Sequence, residues 1–376
     1  MTATVKNVLI IGGGFSGMSA AIEFTKRGVA VDLVEIDAGW RSYGAGISLG
    51  GATLRAFRTL GILDDFLARG NAADGVDLCT PQGELISQIP TPRIAGADVP
   101  GGGAIMRPAL AEIMAAATRR AGVNVRLGCS FKSLTAHADG VEATLTDGSA
   151  SLYDLVVGAD GLNSKVRQWL FPMAAKPRYT GQGVWRAVLT RPAGVERARM
   201  WMGGAVKPGI NLVSKTHMYL FLTEQRPTND HVPVDQQPAV FRDLLAPFPD
   251  ALLQTLREQI SEHAQIVYRP LERLLLPKPW FAGRTVLIGD AVHATTPHLA
   301  SGACIGIEDG IVLAEELSNT GSVTEGLNRF QDRRWERCRM VVENSSQLGE
   351  LEITGGDKAE HARIMRESMM ALMQPI

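Results

Sequence analysis

The 376-residue sequence predicts an α/β fold, with a parallel sheet assembled from three separated stretches, an inserted and mostly antiparallel β-sheet, and helices towards the C-terminal end. Three observations predict it. NVLIIGGGFSGMSAAIEFTKRG (Asn7–Gly28) runs from an apolar stretch through three consecutive glycines into helix formers. The same order of strand, glycine-containing turn and helix returns around Asp160-Gly161 and Gly289-Asp290. Between Thr180 and Tyr268 helical spacing gives way to VWRAVLT, ARMWMGG, INLVS and MYLFLTE, short runs rich in β-formers.

Taken in order, residues 5–11 read as a buried strand, 18–27 as a helix with Gly28 as its C-cap, and 29–35 as a second strand, which must lie parallel to the first. Leu54, Phe57, Leu60, Leu63 and Leu67 fall on one face of a helix over 53–69. From Leu78 the pattern breaks into short strands and the Pro/Gly-rich PTPRIAGADVPGGG, then helix resumes over 108–121. Strands are expected at 123–134, 141–146 and 151–157, joined by ADG and TDGS turns, and a helix at 241–260. A strand leads into Gly289-Asp290, and from Ile305 the chain is mostly helical. The expected organisation is discontinuous: residues 1–75, 101–178 and 270–340 build one domain, 76–100 and 179–269 build the other, and 341–376 form a helical segment.

The chain is 45% hydrophobic and 20% charged with a net charge of −1, so no basic excess points to nucleic acid or an anionic membrane. No apolar run spans a bilayer, and the glycine triplet interrupts the only signal-peptide-like stretch, so a cytoplasmic protein is expected, as monomer or homodimer. The four cysteines are far apart and form no CxxC pair, which argues for reduced thiols and no metal site.

Gly12, Gly14 and Gly17 have GxGxxG spacing. The first glycine permits the tight turn, the second admits a pyrophosphate against the backbone, and the third lets the helix lie close on the strand, with Phe15 and Ser16 among the N–H groups offered to phosphate. Glu35 ends the next strand 18 residues beyond Gly17, where a carboxylate accepts ribose hydroxyl protons. This much suits NAD or FAD equally. A second strand-to-helix junction late in the chain calls for a cofactor that stretches across the domain. Asp290 suits a sugar-alcohol hydroxyl, and the N–H groups near Gly302 suit a carbonyl or anion. FAD has both.

These three motifs, in this order over nearly the whole chain, resemble the single-component (class A) FAD-dependent aromatic hydroxylases, such as para-hydroxybenzoate, salicylate and 6-hydroxynicotinate hydroxylases. The resemblance implies a Rossmann-like FAD-binding domain of the GR2 type. In it GxGxxG holds the AMP half, Asp160-Gly161 serves the pyrophosphate and the passing NADH or NADPH, and Asp290 binds the ribityl chain. It also implies cofactor contacts from Arg107 in an RxxL element, Gly46 in GAGI (Gly44–Ile47), Arg41, Pro297, Gly302 and Ala303. The loop PHLASGA keeps the proline and last glycine of the family's PxxGQG but lacks one glycine and the glutamine. The implied activity is NAD(P)H- and O2-consuming insertion of one oxygen atom, through a flavin hydroperoxide, into a small aromatic substrate. An epoxidase, N-hydroxylase or oxidase on the same scaffold, or a flavin-binding protein without turnover, are the alternatives.

Among single residues, His298 beside Pro297 is read as a group that orients or deprotonates substrate, against a solvent-facing loop histidine. His293 reads as structural and His217 as exposed. Arg186 either pairs a substrate carboxylate or, the favoured reading, holds an acidic loop residue across domains. Ser48, Lys207 and Asn211 are substrate-contact candidates.

Overall fold

The run NVLII is apolar at every position but the first, as a strand covered on both faces must be. In the computed structural model, which describes residues 5–42, 44–203, 206–262 and 264–376, it forms the strand Asn7–Ile11 near the middle of a six-stranded sheet. The spatial order is Phe281–Ala282, Thr285–Leu287, Leu155–Gly158, Asn7–Ile11, Ala30–Glu35, Asn124–Leu127. All pairings are parallel except the first. Because the strands come from distant stretches, the carboxyl ends of Asn7–Ile11, Leu155–Gly158 and Thr285–Leu287 meet at one rim, and each leads into a motif turn.

The second large sheet has seven strands, in the order Ile266–Arg273, Arg178–Thr190, His217–Gln225, Val206–Leu212, Ala198–Trp201, Val76–Cys79, Leu85–Ile89. One face is covered by the helices Gln237–Leu245 and Ala251–Gln259 around Trp185, Trp201, Leu220 and Phe241. The other face turns towards a small antiparallel sheet, Gly46–Gly50, Gly102–Met106 and Asn71–Ala73, with Ala45, Ala104, Val213 and Tyr219 packed between them. Among the described residues, no helix is long and apolar enough to cross a membrane. All four cysteines are free and buried.

Several expected elements divide. Gly61, at φ 77, ends one helix at Leu60 and a second begins at Leu63. Residues 241–260 are two helices, because Pro247 and Pro249 cannot continue the first. The expected strand 123–134 breaks at Gly128, φ 66, and its halves join different sheets. The last glycine of ARMWMGG lies outside the described residues. Three expected boundaries fall inside elements. Those at 178/179 and 269/270 lie within the paired strands Arg178–Thr190 and Ile266–Arg273, whose ladder runs on past the change in composition. The one at 340/341 lies within the 32-residue helix Val323–Thr354, which contains no proline to stop it.

Candidate active site

The first glycine turn shows the three roles separately. Gly12 has φ 110, and a Cβ there would strike the carbonyl of Ala159. At Gly17 a Cβ would strike the carbonyl of Gly12, so the helix Phe15–Lys26 rides directly on the turn. A Cβ on Gly14 would meet nothing within 4 Å: the second glycine faces open space at a helix N-terminus that no side chain caps. A phosphate group fits that cradle. Glu35 holds the turn from below, its Oε2 accepting the Gly13 N–H at 2.7 Å and its Oε1 the Asp37 N–H at 2.8 Å. Each oxygen keeps a second lone pair for a ribose hydroxyl. Trp40 closes the side by donating Nε1–H to the Gly13 carbonyl at 2.7 Å.

Ser16 sits where a Cβ on either Gly289 or Gly306 would strike its hydroxyl, which ties the first motif to the third. Asp160 spends its carboxylate on its own turn: it accepts from the Ser164 hydroxyl and from the N–H groups of Lys165 and Val166 at 2.7 and 3.0 Å. Arg167 then donates to the carbonyls of Ala291 and Leu162 at 2.9 and 2.8 Å, joining the second motif to the third.

Asp290 follows Gly289, which has φ 63, and its side chain is reachable by solvent while protein surrounds it, as in the floor of a cleft. That confinement raises its carboxyl pKa, opposed by the nearby His293 and Arg107. Arg107 lies across Phe15, 4.9 Å from the ring centre, and donates to Ser42 Oγ at 3.2 Å. Pro297–Leu299 makes a single 3-10 turn, Ala300 adopts φ 49, and the helix Gly302–Ser318 starts without a side-chain cap, leaving the first N–H groups at Gly302 and Ala303 for a ligand. Arg41, expected as a flavin contact, meets a carboxylate of its own turn. It is largely exposed and pairs with Asp37, four residues back, Nη2 to Oδ1 at 2.9 Å, because the turn after Glu35 brings that carboxylate to it first.

A buried ionic network lies under this rim. His293 Nε2 is 2.5 Å from Asp309 Oδ2, Arg334 Nε donates to Asp309 Oδ1 at 2.8 Å, and Asp309 Oδ2 also accepts the Gly289 N–H at 2.9 Å. Burial alone would lower the His293 pKa, but Asp309 outweighs it and holds the ring's pKa well above the usual value. Burial would likewise raise Asp309, and His293 and Arg334 instead hold it low. His293, Asp309 and Cys338 offer ligand atoms within 4.8 Å of one another, but Arg334 already supplies positive charge there.

On the other side of the cleft, register places Arg186, Val188, Tyr219, Phe221, Lys207 and Asn211 on one face of the seven-stranded sheet. Tyr219 is the centre. Its hydroxyl meets Ser48 Oγ in a short hydrogen bond and accepts from Asn211 Nδ2 at 3.2 Å. Its ring lies against Gly46, where any Cβ would collide with it, so Gly46 makes room for Tyr219. Burial raises the Tyr219 pKa, against hydrogen bonding from Ser48 and the charge of Arg186. Arg186 pairs with no acidic loop residue: among the described residues it has no hydrogen bond or ion pair, and burial lowers its pKa. The cross-domain ion pair favoured for it is therefore absent from the described residues.

His298 is buried, not solvent-facing, with Nδ1 2.9 Å from Thr296 Oγ1 and Nε2 3.3 Å from Glu352 Oε2, too oblique for a hydrogen bond. Its ring thus turns to the helix Val323–Thr354, where it lines a small cavity with Gln182, Thr296 and Gly349. Glu352 also takes Lys207 Nζ at 2.6 Å and His361 Nε2 at 3.3 Å. Burial would raise the Glu352 carboxyl, but His298, His361 and Lys207 together hold it below the usual carboxylate range. Tyr219, Asp309, Arg334 and Glu352 were not singled out in the sequence. The alternation in MYLFLTE marks Tyr219 and Phe221 as one face, and the acidic pair inside the apolar run ACIGIEDGIVLA marks buried charges needing partners. Nothing local marks Glu352.

A glycine cradle at one strand end, a carboxylate at the end of the next strand, and a second acidic turn and helix start across the same rim form a frame that suits an extended flavin dinucleotide. The sequence model of the FAD-binding domain family matches residues 6–345, and the chain belongs to that family. It is 31% identical over 381 residues to the aurachin C monooxygenase/isomerase of Stigmatella aurantiaca, covering 97% of this chain and 94% of that one. It is 32% identical over 348 residues to the 2-heptyl-3-hydroxy-4(1H)-quinolone synthase of Pseudomonas aeruginosa, covering 92% and 89%. The fold matches that of Klebsiella pneumoniae HpxO complexed with FAD and uric acid, with a TM-score of 0.80 at 22% identity over 98% of this chain and 93% of that one. The protein is an FAD-dependent monooxygenase of the class A aromatic hydroxylase type.

Proposed function

We propose that the protein hydroxylates a small, electron-rich heteroaromatic ring that carries a hydroxyl or keto oxygen, a 4-quinolone being the type that the relative from Pseudomonas aeruginosa suggests. The observation that carries this reading is the convergence of Ser48 and Asn211 on the Tyr219 hydroxyl, beside Arg186. A ring oxygen placed there meets a hydroxyl that both donates and accepts, and a cation that favours its anionic form. Val188, Phe221, Met106 and Val213 supply apolar surface that keeps water from the reacting ring.

FAD, when bound, supplies the redox chemistry that lets NADH or NADPH and O2 deliver one oxygen atom. Glu35 and Gly14 would hold its adenosine end, Asp290 the ribityl chain, and the N–H groups of Gly302 and Ala303 the ring edge. Asp160 and Arg167 fix the loop between them. His298 enters as a positioning residue, holding the Pro297 turn against Glu352. The test is NAD(P)H oxidation stimulated by hydroxylated ring compounds under isotopically labelled O2. The expected product carries one labelled oxygen on the ring. Labelled hydrogen peroxide as the sole oxygen product, whatever the ring compound, would reject the reading.

A further inference from the structure

The cavity that His298 lines lies where the strands Arg178–Thr190 and Ile266–Arg273 meet the helix Val323–Thr354. None of Ser48, Arg186, Asn211 and Tyr219 lines it, and Arg178 is at the end of its strand remote from Val188, the residue opposite Tyr219. Its volume is about 80 Å³, room for a few waters or one ion of phosphate size and too little for a nucleotide. Two polar atoms of its lining are buried and unpaired. Ser345 and Ser346 are neighbours on the helix, but only Ser346 returns its hydroxyl to the backbone, donating to the Val342 carbonyl at 3.0 Å. Ser345 is fully buried, and its Oγ has no hydrogen-bond partner. His298, with 2% of its side chain exposed, meets Thr296 through Nδ1 and leaves Nε2 without a hydrogen bond. Buried groups left so cost stability until something enters to meet them.

The mouth of the cavity is cationic. Arg178 and Arg273 stand directly opposite each other in the ladder, where like charges repel. Among the described residues, neither side chain has an ion pair or a hydrogen bond. Glu350, the one carboxylate in the described lining, is exposed. Glu352 stands beside His298 and is already answered by Lys207 at 2.6 Å. Two guanidinium groups outside, with a hydroxyl and an imidazole that can carry hydrogen on Nε2 inside, make the donor set of an oxyanion site.

We propose that this cavity binds a free oxyanion of phosphate size, which bridges the ends of the two strands to the helix and to the Pro297 turn. The anion accepts hydrogen bonds from Ser345 and His298 and offsets the charge of Arg178 and Arg273. It thereby fastens the turn that precedes the Gly302 helix. The site lies outside the glycine cradle and the Tyr219 cluster and is independent of the ring substrate.

The test uses the FAD-loaded protein and inorganic phosphate, by calorimetric titration and thermal unfolding at neutral pH, with chloride at matched ionic strength as the control. Phosphate is expected to occupy one site per chain. At about ten times its Kd it should raise the Tm by about 2 °C, where chloride does not. Arg273→Gln should weaken phosphate binding about tenfold or more, and the more exposed Arg178→Gln about two- to fivefold. Ser345→Ala separates binding from folding, because its two effects have opposite signs. Without phosphate the variant should be at least as stable as the native protein, since an unpaired buried hydroxyl is gone; its affinity for phosphate should fall about fivefold. Loss of stability in phosphate-free Ser345→Ala would mean that the hydroxyl serves the fold, and overturns the proposal. Phosphate affinity unchanged in both Arg273→Gln and Ser345→Ala overturns it too. Titration with NADH and NADPH in the presence of phosphate tests the source of the group: displacement of phosphate by either dinucleotide rejects a free anion. If phosphate does not bind, the cavity holds water alone and the proposal fails.

Discussion

The two walls of the cleft are built by opposite means. The cofactor wall is made of places where side chains are missing: Gly12, Gly17, Gly289 and Gly306 each sit where a Cβ would strike another atom, so three chain segments interlock with no freedom to shift. The substrate wall is made of side chains meeting across elements distant in sequence, Ser48 with Tyr219 and Lys207 with Glu352. A wall of backbone tolerates almost no substitution. A wall of side chains can be retuned residue by residue while the fold stands. One scaffold can therefore hold one cofactor and admit many substrates.

The largest effect should come from filling the backbone wall. Gly17→Val puts a branched side chain where even a Cβ collides with the Gly12 carbonyl, and nothing flexible can yield. No folded, yellow protein is expected, and purification followed by release of the flavin on denaturation checks it. A soluble variant with normal FAD content would break the comparison outright.

Next is the charge buried under that wall. His293→Asn removes one partner of Asp309, and breaking a buried pair costs about 3 kcal/mol or more. The pH dependence fixes the mechanism. The His293 pKa is raised in the folded protein, so its contribution is complete below its ordinary value of 6.5 and is lost as pH rises through the folded value. Asp309 is lowered, so its contribution is present above 3.8 and is lost as pH falls through its folded value. The stability gap between native protein and variant should therefore be widest between those two values and narrow at alkaline pH. Denaturant unfolding across that range measures it; a gap that widens on the alkaline side contradicts the assignment.

Asp290→Ala tests a charged side chain of the cofactor wall that lies open to a ligand. Loss of a charge-assisted hydrogen bond costs about 1.5–3 kcal/mol, or roughly ten- to a hundredfold in FAD affinity. Equilibrium titration of the apoprotein reads it directly. Unchanged affinity would remove the ribityl role.

The same contrast explains what could be read from the sequence. Gly12, Gly14, Gly17, Glu35 and Asp290 sit at fixed spacings from strand ends, so local pattern is enough to single them out as candidates. The face of Arg178–Thr190 that carries Arg186 was legible as a strand, but its lack of an acidic partner was not, because that depends on segments folding together. Arg41 adds a contact that the pattern does not contain, its pairing with Asp37 four residues back. His298 was legible as a residue of the loop before Gly302, but its partner comes 54 residues later, from a helix with no local mark of function.

The smallest effect, and the one that sharpens the comparison most, is Tyr219→Phe. The ring would still lie against Gly46 and among Ala45, Ala104 and Val213, so packing and FAD content should be unchanged. Only the hydroxyl is lost, leaving Ser48 and Asn211 without their shared partner. If that hydroxyl holds the substrate's ring oxygen, the bound ring is misplaced and its oxygen loses a hydrogen bond. The net value of such a bond is about 1 kcal/mol, more when its partner is charged, so a five- to tenfold fall in product formed per NAD(P)H consumed is expected. Reduction of the flavin should proceed as before, with the lost product appearing as hydrogen peroxide. Rapid mixing that separates flavin reduction from ring hydroxylation distinguishes this from a general loss of structure. Unchanged coupling would show that Tyr219 only packs, and would move recognition of the ring oxygen to Arg186.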